Sequence, residues 1–263
     1  MSDQNAPADE IGIVDRLSSA VRSGVFYLWS APNILAIIAA VSLRPDDDLW
    51  YRLLRGWARF GLGVFGVDVT VRGLDKLEPG HDYVVLANHR SHFDVFAVIH
   101  AFSDRETKWV AKRELEKVPL FGWALRATGQ IIVDRSNHEQ AIRELRKNLG
   151  THGATIMFFP EGSRAPTSEL LPFKRGGAAF ALDARLPVVP LAISGSERVL
   201  RTHSLTVRPG TIELIFGDPI PIDSLGPDDR AELTARARDA IESMLGPVEG
   251  GSHAVHQEAP VHA

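Results

Sequence analysis

A histidine and an aspartate five residues apart are the pair in this chain best suited to moving a proton. They are His89 and Asp94, in Asn88-His89-Arg90-Ser91-His92-Phe93-Asp94. An imidazole whose one nitrogen is held by a carboxylate can take a proton from a hydroxyl through the other. On one continuous helix the two side chains would point about 140° apart. They meet only if His89 lies in a turn before the helix and folds back. The surrounding residues allow that. Residues 84–87 are an apolar run that reads as a buried strand. Ser91, with Asp94 three positions on, resembles a capping box with Asp in place of the usual Glu. Residues 95–102 then continue as an apolar helix. His89 would stand at the C-terminal end of a strand, in the crevice where open α/β folds place their chemistry. Taken alone, the same stretch also reads as a surface histidine beside a helix-capping aspartate.

Three later segments bring polar groups to strand ends. Gly129-Gln130-Ile131-Ile132-Val133-Asp134-Arg135 ends a strand in an Asp-Arg pair, which by itself could be an ordinary surface ion pair. In Met157-Phe158-Phe159-Pro160-Glu161-Gly162-Ser163-Arg164 an apolar strand stops at proline and presents Glu161, a flexible Gly162, Ser163 and Arg164. An arginine in such a loop suits a phosphate or a carboxylate. Pro172-Phe173-Lys174-Arg175-Gly176-Gly177 places two cations before a helix that opens on glycines, a ready anion site. Leu186-Pro187-Val188-Val189-Pro190-Leu191 is a buried strand with prolines and no acid–base group, and reads as architecture.

Stepping outward, the pattern predicts strands at 67–71, 84–87, 108–111, 130–133, 155–159, 188–193, 205–207 and 212–216. The last two flank a hairpin turn at Arg208-Pro209-Gly210. Helices are expected near 94–102, 113–126, 137–149, 174–184 and 228–245. The fold class is α/β, with a central largely parallel or mixed sheet flanked by helices. An N-terminal membrane-docking helical hairpin precedes it.

That hairpin is read from composition. Residues 23–43 carry no charge, a length that suits a membrane span. Pro32-Asn33 should break the stretch in two. Tyr27 and Trp29 favour an interface, and arginines lie on both sides: Arg16 and Arg22 before, Arg44, Arg52, Arg55 and Arg59 after. A re-entrant or shallow hairpin fits better than a crossing, and a buried core helix is the alternative. In residues 49–67, Arg52, Arg55 and Arg59 share one helix face, and Trp50, Leu53, Leu54, Trp57 and Phe60 fill much of the rest. That reads as a basic amphipathic helix on an anionic membrane, or as one packed on the protein's own core. The domain reading is 1–10 disordered, 11–66 membrane-associating helices, 67–245 an α/β domain and 246–263 a disordered tail.

Composition narrows the classes. A chain of 263 residues, 44% hydrophobic and 24% charged, can bury a full core. A net charge of −4 gives no argument for nucleic acid. The absence of cysteine excludes disulfides, thiolate metal sites and a cysteine nucleophile, and fits a reducing compartment. No basic-then-apolar start suggests a cleaved signal peptide. No Gly-x-Ser-x-Gly turn supports a hydrolase.

Four motifs in order carry a resemblance. Asn88-His89-x-Ser91-x-x-Asp94, Gly129-x-Ile131-x-x-Asp134-Arg135, Phe159-Pro160-Glu161-Gly162-Ser163-Arg164 and Val189-Pro190-Leu191 resemble the four blocks of the glycerolipid acyltransferases. More narrowly, the chain looks like a bacterial 1-acylglycerol-3-phosphate acyltransferase. Ser163 stands where that family often has threonine, which keeps the hydroxyl. The resemblance implies His89 as general base and Asp94 as its orienting partner. It implies Arg164 on the acceptor phosphate, with Lys112 as a second cation, Glu161 positioning the acceptor, and Gly162 allowing close backbone approach beside Ser163. Arg135, Lys174 and Arg175 are weaker candidates for phosphate contacts. The implied reaction gives phosphatidic acid from a lysophospholipid acceptor and an acyl thioester, either acyl-coenzyme A or acyl carrier protein. It needs no cofactor and no metal. The implied partners are those substrates and a membrane surface, without nucleic acid, at the cytoplasmic face of the cell membrane in monotopic or re-entrant association. Other acceptors (another lysolipid or a glycolipid), a phospholipid acyl donor, or a non-catalytic membrane-bound role for the fold are the competing readings.

Overall fold

The computed structural model describes residues 12–44, 48–102, 106–133, 155–165 and 169–246. The segments expected to be disordered at 1–10 and after 246, and the helix expected at 137–149, lie outside the described residues.

The chain opens with two helices, α1 (Ile13–Leu43) and α2 (Leu49–Phe65), packed against each other. The buried residues of α1 recur at three- and four-residue steps: Ser19, Phe26, Ser30, Asn33, Ile37 and Ala40. That stripe gives α1 one inward side. Along it, Phe26 meets Trp57 and Phe65 at ring distances of 5.6 and 5.9 Å. Trp57 donates its indole N–H to Ser30 Oγ at 2.9 Å. Ile37 and Ala40 share a cluster with Trp50 and Tyr51.

Pro32 does not break α1, contrary to the sequence expectation. A proline inside a helix costs about 3 kcal/mol. Packing on α2 both before it (Phe26, Ser30) and after it (Ile37, Ala40) outweighs that. The hairpin therefore turns between Leu43 and Leu49, and its arms are α1 and α2.

The expectation of an interfacial α2 is corrected too. Trp50, Tyr51, Ala58, Leu62 and Phe65 are buried, and α2 lies between α1 and α3 (Phe93–Ala101). Trp57 stacks on Phe96 at 4.6 Å, and Phe65 meets Phe93 edge-on at 5.4 Å. Arg52 and Arg59 are exposed, and Arg55 lies over the Tyr51 ring at 5.6 Å. The outward apolar surface belongs to α1, where Ile13, Val14, Leu17, Val21 and Leu28 are each more than 60% exposed.

Seven strands follow among the described residues: β1 (Val67–Arg72), β2 (Tyr83–Ala87), β3 (Thr107–Lys112), β4 (Ile131–Val133), β5 (Thr155–Phe158), β6 (Val188–Ser194) and β7 (Gly210–Phe216). They form one sheet in the order β1-β7-β6-β2-β5-β3-β4. Every pairing is parallel except β6 with β7. Five strands thus run one way and end on a common rim, while β1 and β7 run back from it. The remaining α-helices among the described residues are α4 (Phe121–Ala127), α5 (Gly176–Ala184), α6 (Ser196–Val199) and α7 (Arg230–Leu245).

Strand β2 is central, and both its faces are covered. Val85 and Ala87 join the core beneath α2 and α3, while Val84 and Leu86 join the core beneath α5 and α7. Parallel strands buried on both faces read as unbroken apolar runs, which is why 84–87 was legible. Two elements differ from expectation. No strand forms at 205–207. Val207 gives its N–H to Ser19 Oγ instead, and β7 begins only at Gly210, whose N–H bonds Gly66 O. The helix expected at 113–126 splits into a 3-10 turn, Arg113–Lys117, and α4. Pro119 and the left-handed Leu120 (φ 63°) separate them.

Candidate active site

Where β2 leaves the sheet, Asn88 continues its bonding with a side chain. Its Nδ2 donates to Ile193 O at 2.8 Å, and its Oδ1 accepts the Ile193 N–H at 2.7 Å. The amide stands in for a strand residue beside β6, so the backbone can turn without leaving a buried group unpaired. The turn delivers His89. Its Nδ1 is 2.7 Å from Asp94 Oδ2. Asp94 is fully buried in the first turn of α3, where a helix N-terminus favours a carboxylate. The same oxygen accepts the backbone N–H groups of Arg90 at 2.8 Å and Ser91 at 2.9 Å. The fold-back required by the spacing is therefore present. The bond to Ser91 N–H is the return arm of the expected capping box. Ser91 Oγ itself accepts the Phe93 N–H at 3.3 Å and donates to Leu200 O at 3.0 Å.

Strand β5 pairs with β2 through Leu86 and Phe158, so the next residues stand beside His89. The Phe159 ring stacks on the imidazole at 3.9 Å and 11°, and Trp109 tilts against Phe159 at 5.7 Å. Glu161 Oε1 accepts the His89 N–H at 2.8 Å, and Ala165 N–H donates to His89 O at 2.8 Å. Gly162 takes a left-handed conformation (φ 74°) to close this loop, with its N–H on Phe159 O. His89 is thus fixed at its ring, its backbone N–H and its backbone carbonyl.

The second oxygen of Glu161 accepts the Leu171 N–H at 2.9 Å. Burial pushes the Glu161 carboxyl above its ordinary range, and the bonds from His89 and Leu171 and the charge of Arg90 pull it back in part. With both oxygens taken by backbone N–H groups, Glu161 braces the loop. Each oxygen keeps a second lone pair, so the expected part of Glu161 in positioning the acceptor stands as a proposal.

The other candidates fall in different places. Arg164 is half-buried on the same loop and has neither an ion pair nor a hydrogen bond among the described residues. His92, which sequence reasoning passed over, sits close by. Burial first, then the Arg164 charge, holds it below its ordinary value. Ser163 is exposed. Lys112 ends β3, two strands from β2. Arg135 lies outside the described residues, and β4, which leads to it, is the edge strand about 14 Å from β2 at normal strand spacing. Lys174 is exposed, and its N–H bonds Pro160 O at 2.9 Å. Arg175 precedes α5 and lines a shallow cavity with Phe173, Thr234 and Arg238, which includes neither His89 nor Glu161. Asn88 and Phe159 stood inside the quoted motifs, but nothing in their types announced an amide standing in for a strand or a ring stacked on the base.

The carboxylate-held histidine stands on this rim beside a loop whose Arg164 has no ion pair or hydrogen bond among the described residues, an arrangement that can take a proton from a hydroxyl near an anion. The acyltransferase family model matches residues 68–194, from β1 through β6. The chain is 32% identical to the 1-acyl-sn-glycerol-3-phosphate acyltransferase of Pseudomonas aeruginosa, over 87% of this chain and 92% of that protein. It is also 32% identical to the human 1-acyl-sn-glycerol-3-phosphate acyltransferase alpha, over 69% of this chain and 65% of that protein. In fold it is similar to the crystal structure of the 1-acyl-sn-glycerophosphate (LPA) acyltransferase PlsC from Thermotoga maritima. The TM-score there is 0.71 at 21% identity, covering 90% of this chain and all of the other. This chain belongs to the 1-acyl-sn-glycerol-3-phosphate acyltransferase family.

Proposed function

We propose that this enzyme moves a fatty acyl group from an acyl thioester to the free hydroxyl of 1-acylglycerol-3-phosphate, giving phosphatidic acid. The observation that carries the reading is the 2.7 Å contact between His89 Nδ1 and Asp94. It commits Nδ1 to the carboxylate and leaves Nε2 for the acceptor hydroxyl. Nε2 takes the hydroxyl proton as the oxygen attacks the thioester carbonyl. Asp94 stabilises the imidazolium so formed. The tetrahedral intermediate then collapses, the carbon–sulfur bond breaks, and the proton passes from Nε2 to the leaving thiolate. Hydroxyl and thioester become ester and thiol, so no redox partner or metal enters the balance.

Arg164 is the group suited to the acceptor phosphate, because it is a cation with no ion pair or hydrogen bond among the described residues, on the loop that braces His89. Lys112, Arg135 and Lys174 remain further cations for either substrate, and Arg175 belongs to the neighbouring cavity. The donor is acyl-coenzyme A or acyl carrier protein. Residues 11–66 serve as the membrane-associating part and 67–245 as the catalytic domain, with the enzyme on the cytoplasmic face of the cell membrane. The outward face of α1 and the lipid nature of both substrates support that placement.

The test is acyl transfer from oleoyl-coenzyme A, with lysophosphatidic acid and lysophosphatidylcholine offered separately. Turnover is expected with the first, and His89→Ala should lower it by about 10²–10⁴-fold. Arg164→Ala should raise KM for lysophosphatidic acid more than it lowers kcat. Undiminished transfer by His89→Ala would remove the mechanism. Preference for the choline lipid would remove the acceptor assignment.

A further inference from the structure

The loop between β6 and β7 has no part in the chemistry above, and its construction calls for an explanation. Strand β6 ends on the rim that carries His89, and β7, antiparallel to it, begins there. Residues 195–209 therefore lie on the active-site side of the sheet. The loop is tied down on its inner side at three places. Ser91 Oγ donates to Leu200 O at 3.0 Å. Thr202 Oγ1 reaches Arg90 O and Ala165 O, each at 3.4 Å. Val207 N–H bonds Ser19 Oγ of α1 at 2.8 Å. Internal bonds hold its shape, Ser204 N–H to Arg201 O and Thr206 N–H to Ser204 Oγ. His203 keeps a left-handed backbone (φ 66°) at its bend, a conformation that persists only where the surroundings hold it.

On this fixed loop Leu205 is 94% exposed, while its neighbour Val207 is buried. The sequence from Arg198 to Ile212 holds Arg198, Arg201 and Arg208 and no carboxylate, in a chain whose net charge is −4. The loop meets α1 at Ser19, on the inward side of the helix segment whose other side carries Ile13, Val14, Leu17 and Val21.

We infer that Leu205 is a second membrane contact, which together with the outward face of α1 seats the His89 rim against an anionic lipid surface. This rests on the membrane-associated reading of α1. A single helix lying in a bilayer leaves the attached domain free to roll about the helix axis. A second apolar point, off that axis and rigidly joined to the active-site turn, fixes the roll. The exposed Arg198 and Arg201 of the same loop match anionic headgroups. Both sides of the loop's attachment, to α1 and to the turns that hold His89, give that contact a route to orienting the site.

Because the chain has no cysteine, single cysteines can be placed and labelled with a polarity-sensitive nitrobenzoxadiazole probe. The sites are Leu205→Cys, Leu17→Cys on α1, and Asp75→Cys just after β1, on the opposite end of the sheet. With vesicles of phosphatidylglycerol and phosphatidylcholine, emission at positions 205 and 17 should shift to the blue and brighten, and position 75 should not respond. A response at 17 with none at 205 overturns this inference and leaves the membrane reading of α1 standing. Silence at both overturns the two together. A blue shift at 205 that grows with protein concentration in the absence of vesicles assigns the surface to a second copy of the chain, and also overturns it. A second variant, Leu205→Asp, should cut turnover of vesicle-embedded lysophosphatidic acid by ~10-fold and leave turnover of a monomeric short-chain analogue unchanged. Equal turnover of both lipids by this variant also overturns the inference.

Discussion

The His89 rim and the outward face of α1 reverse the usual placement of residues in opposite ways. At the rim polar groups are inside: Asn88, Asp94 and Glu161 are each less than 5% exposed. On α1 apolar groups are outside, Leu17 and Leu28 among them. Both arrangements cost stability in water. At the rim most of the cost is offset within the chain, because Asn88, Asp94 Oδ2 and Glu161 hold backbone groups or the base, while Asp94 Oδ1 has no bond among the described residues. On the outward face of α1 nothing among the described residues offsets it. The rim is a closed construction that would survive in any solvent the fold survives in. The helix face is an open one that needs another surface. A site can thus be finished by its own sequence, whereas an exposed apolar face is finished only by what covers it.

The largest effect should come from opening the closed construction. Asp94→Ala leaves His89 Nδ1 and the N–H groups of Arg90 and Ser91 without their acceptor. Turnover should fall about 10³-fold and unfolding free energy by about 2–4 kcal/mol. A variant as stable as the parent in urea titration would show that the rim is not held as described. Glu161→Gln keeps one acceptor and loses the other. Its kcat should drop roughly 10-fold with KM for lysophosphatidic acid unchanged. A raised KM at full kcat would instead make Glu161 a substrate contact.

The inward side of the helix pair can be probed at Gly61. A methyl there would come within 2.9 Å of Phe26 and 3.0 Å of Phe96. Gly61→Ala should therefore cost about 1–3 kcal/mol by overpacking. No loss in thermal melts would mean the rings yield freely.

A smaller effect concerns His100 on α3. Burial, then the charge of Arg59 on α2, holds it below its ordinary value of 6.5. The unfolded chain takes up that proton first, so stability should fall as pH drops from 6.5 toward the folded-state value. His100→Gln should flatten the slope relative to the parent in chemical denaturation at a series of pH values. Glu161, shifted upward, acts in the other sense above about 4.5 and is common to both proteins. The smallest effect on folding belongs to α1. Leu17→Ser should change stability by no more than about 0.5 kcal/mol, yet weaken binding to anionic vesicles in flotation. A clear loss of stability would show that the outward face is part of the core after all.

Much of this was legible beforehand, for identifiable reasons. The strand before His89 was readable because a doubly covered parallel strand is apolar at every position. The meeting of His89 with Asp94 was readable because only a fold-back can join residues at that spacing. The hairpin at 208–210 was misplaced because a Pro-Gly turn signal is local, while the pairing of β7 was set by β6 and β1 from other parts of the chain. The break at Pro32 failed for the same kind of reason, since the helix is held by α2. Arg175 was grouped with Arg164 as a cation in a loop, and only the packing of α7 separates them.

The sequence by itself determined the elements, the direction in which the chain delivers its polar turns, and the chemistry of the pair at His89 and Asp94. Spacing, turn residues and apolar periodicity are local, and local physics suffices for them. The tertiary structure alone decided that Glu161 braces, that Phe159 stacks on the base, and that α1 rather than α2 faces outward. Each depends on which residues from distant segments share a neighbourhood, and that is fixed by packing the whole sheet and its helices at once.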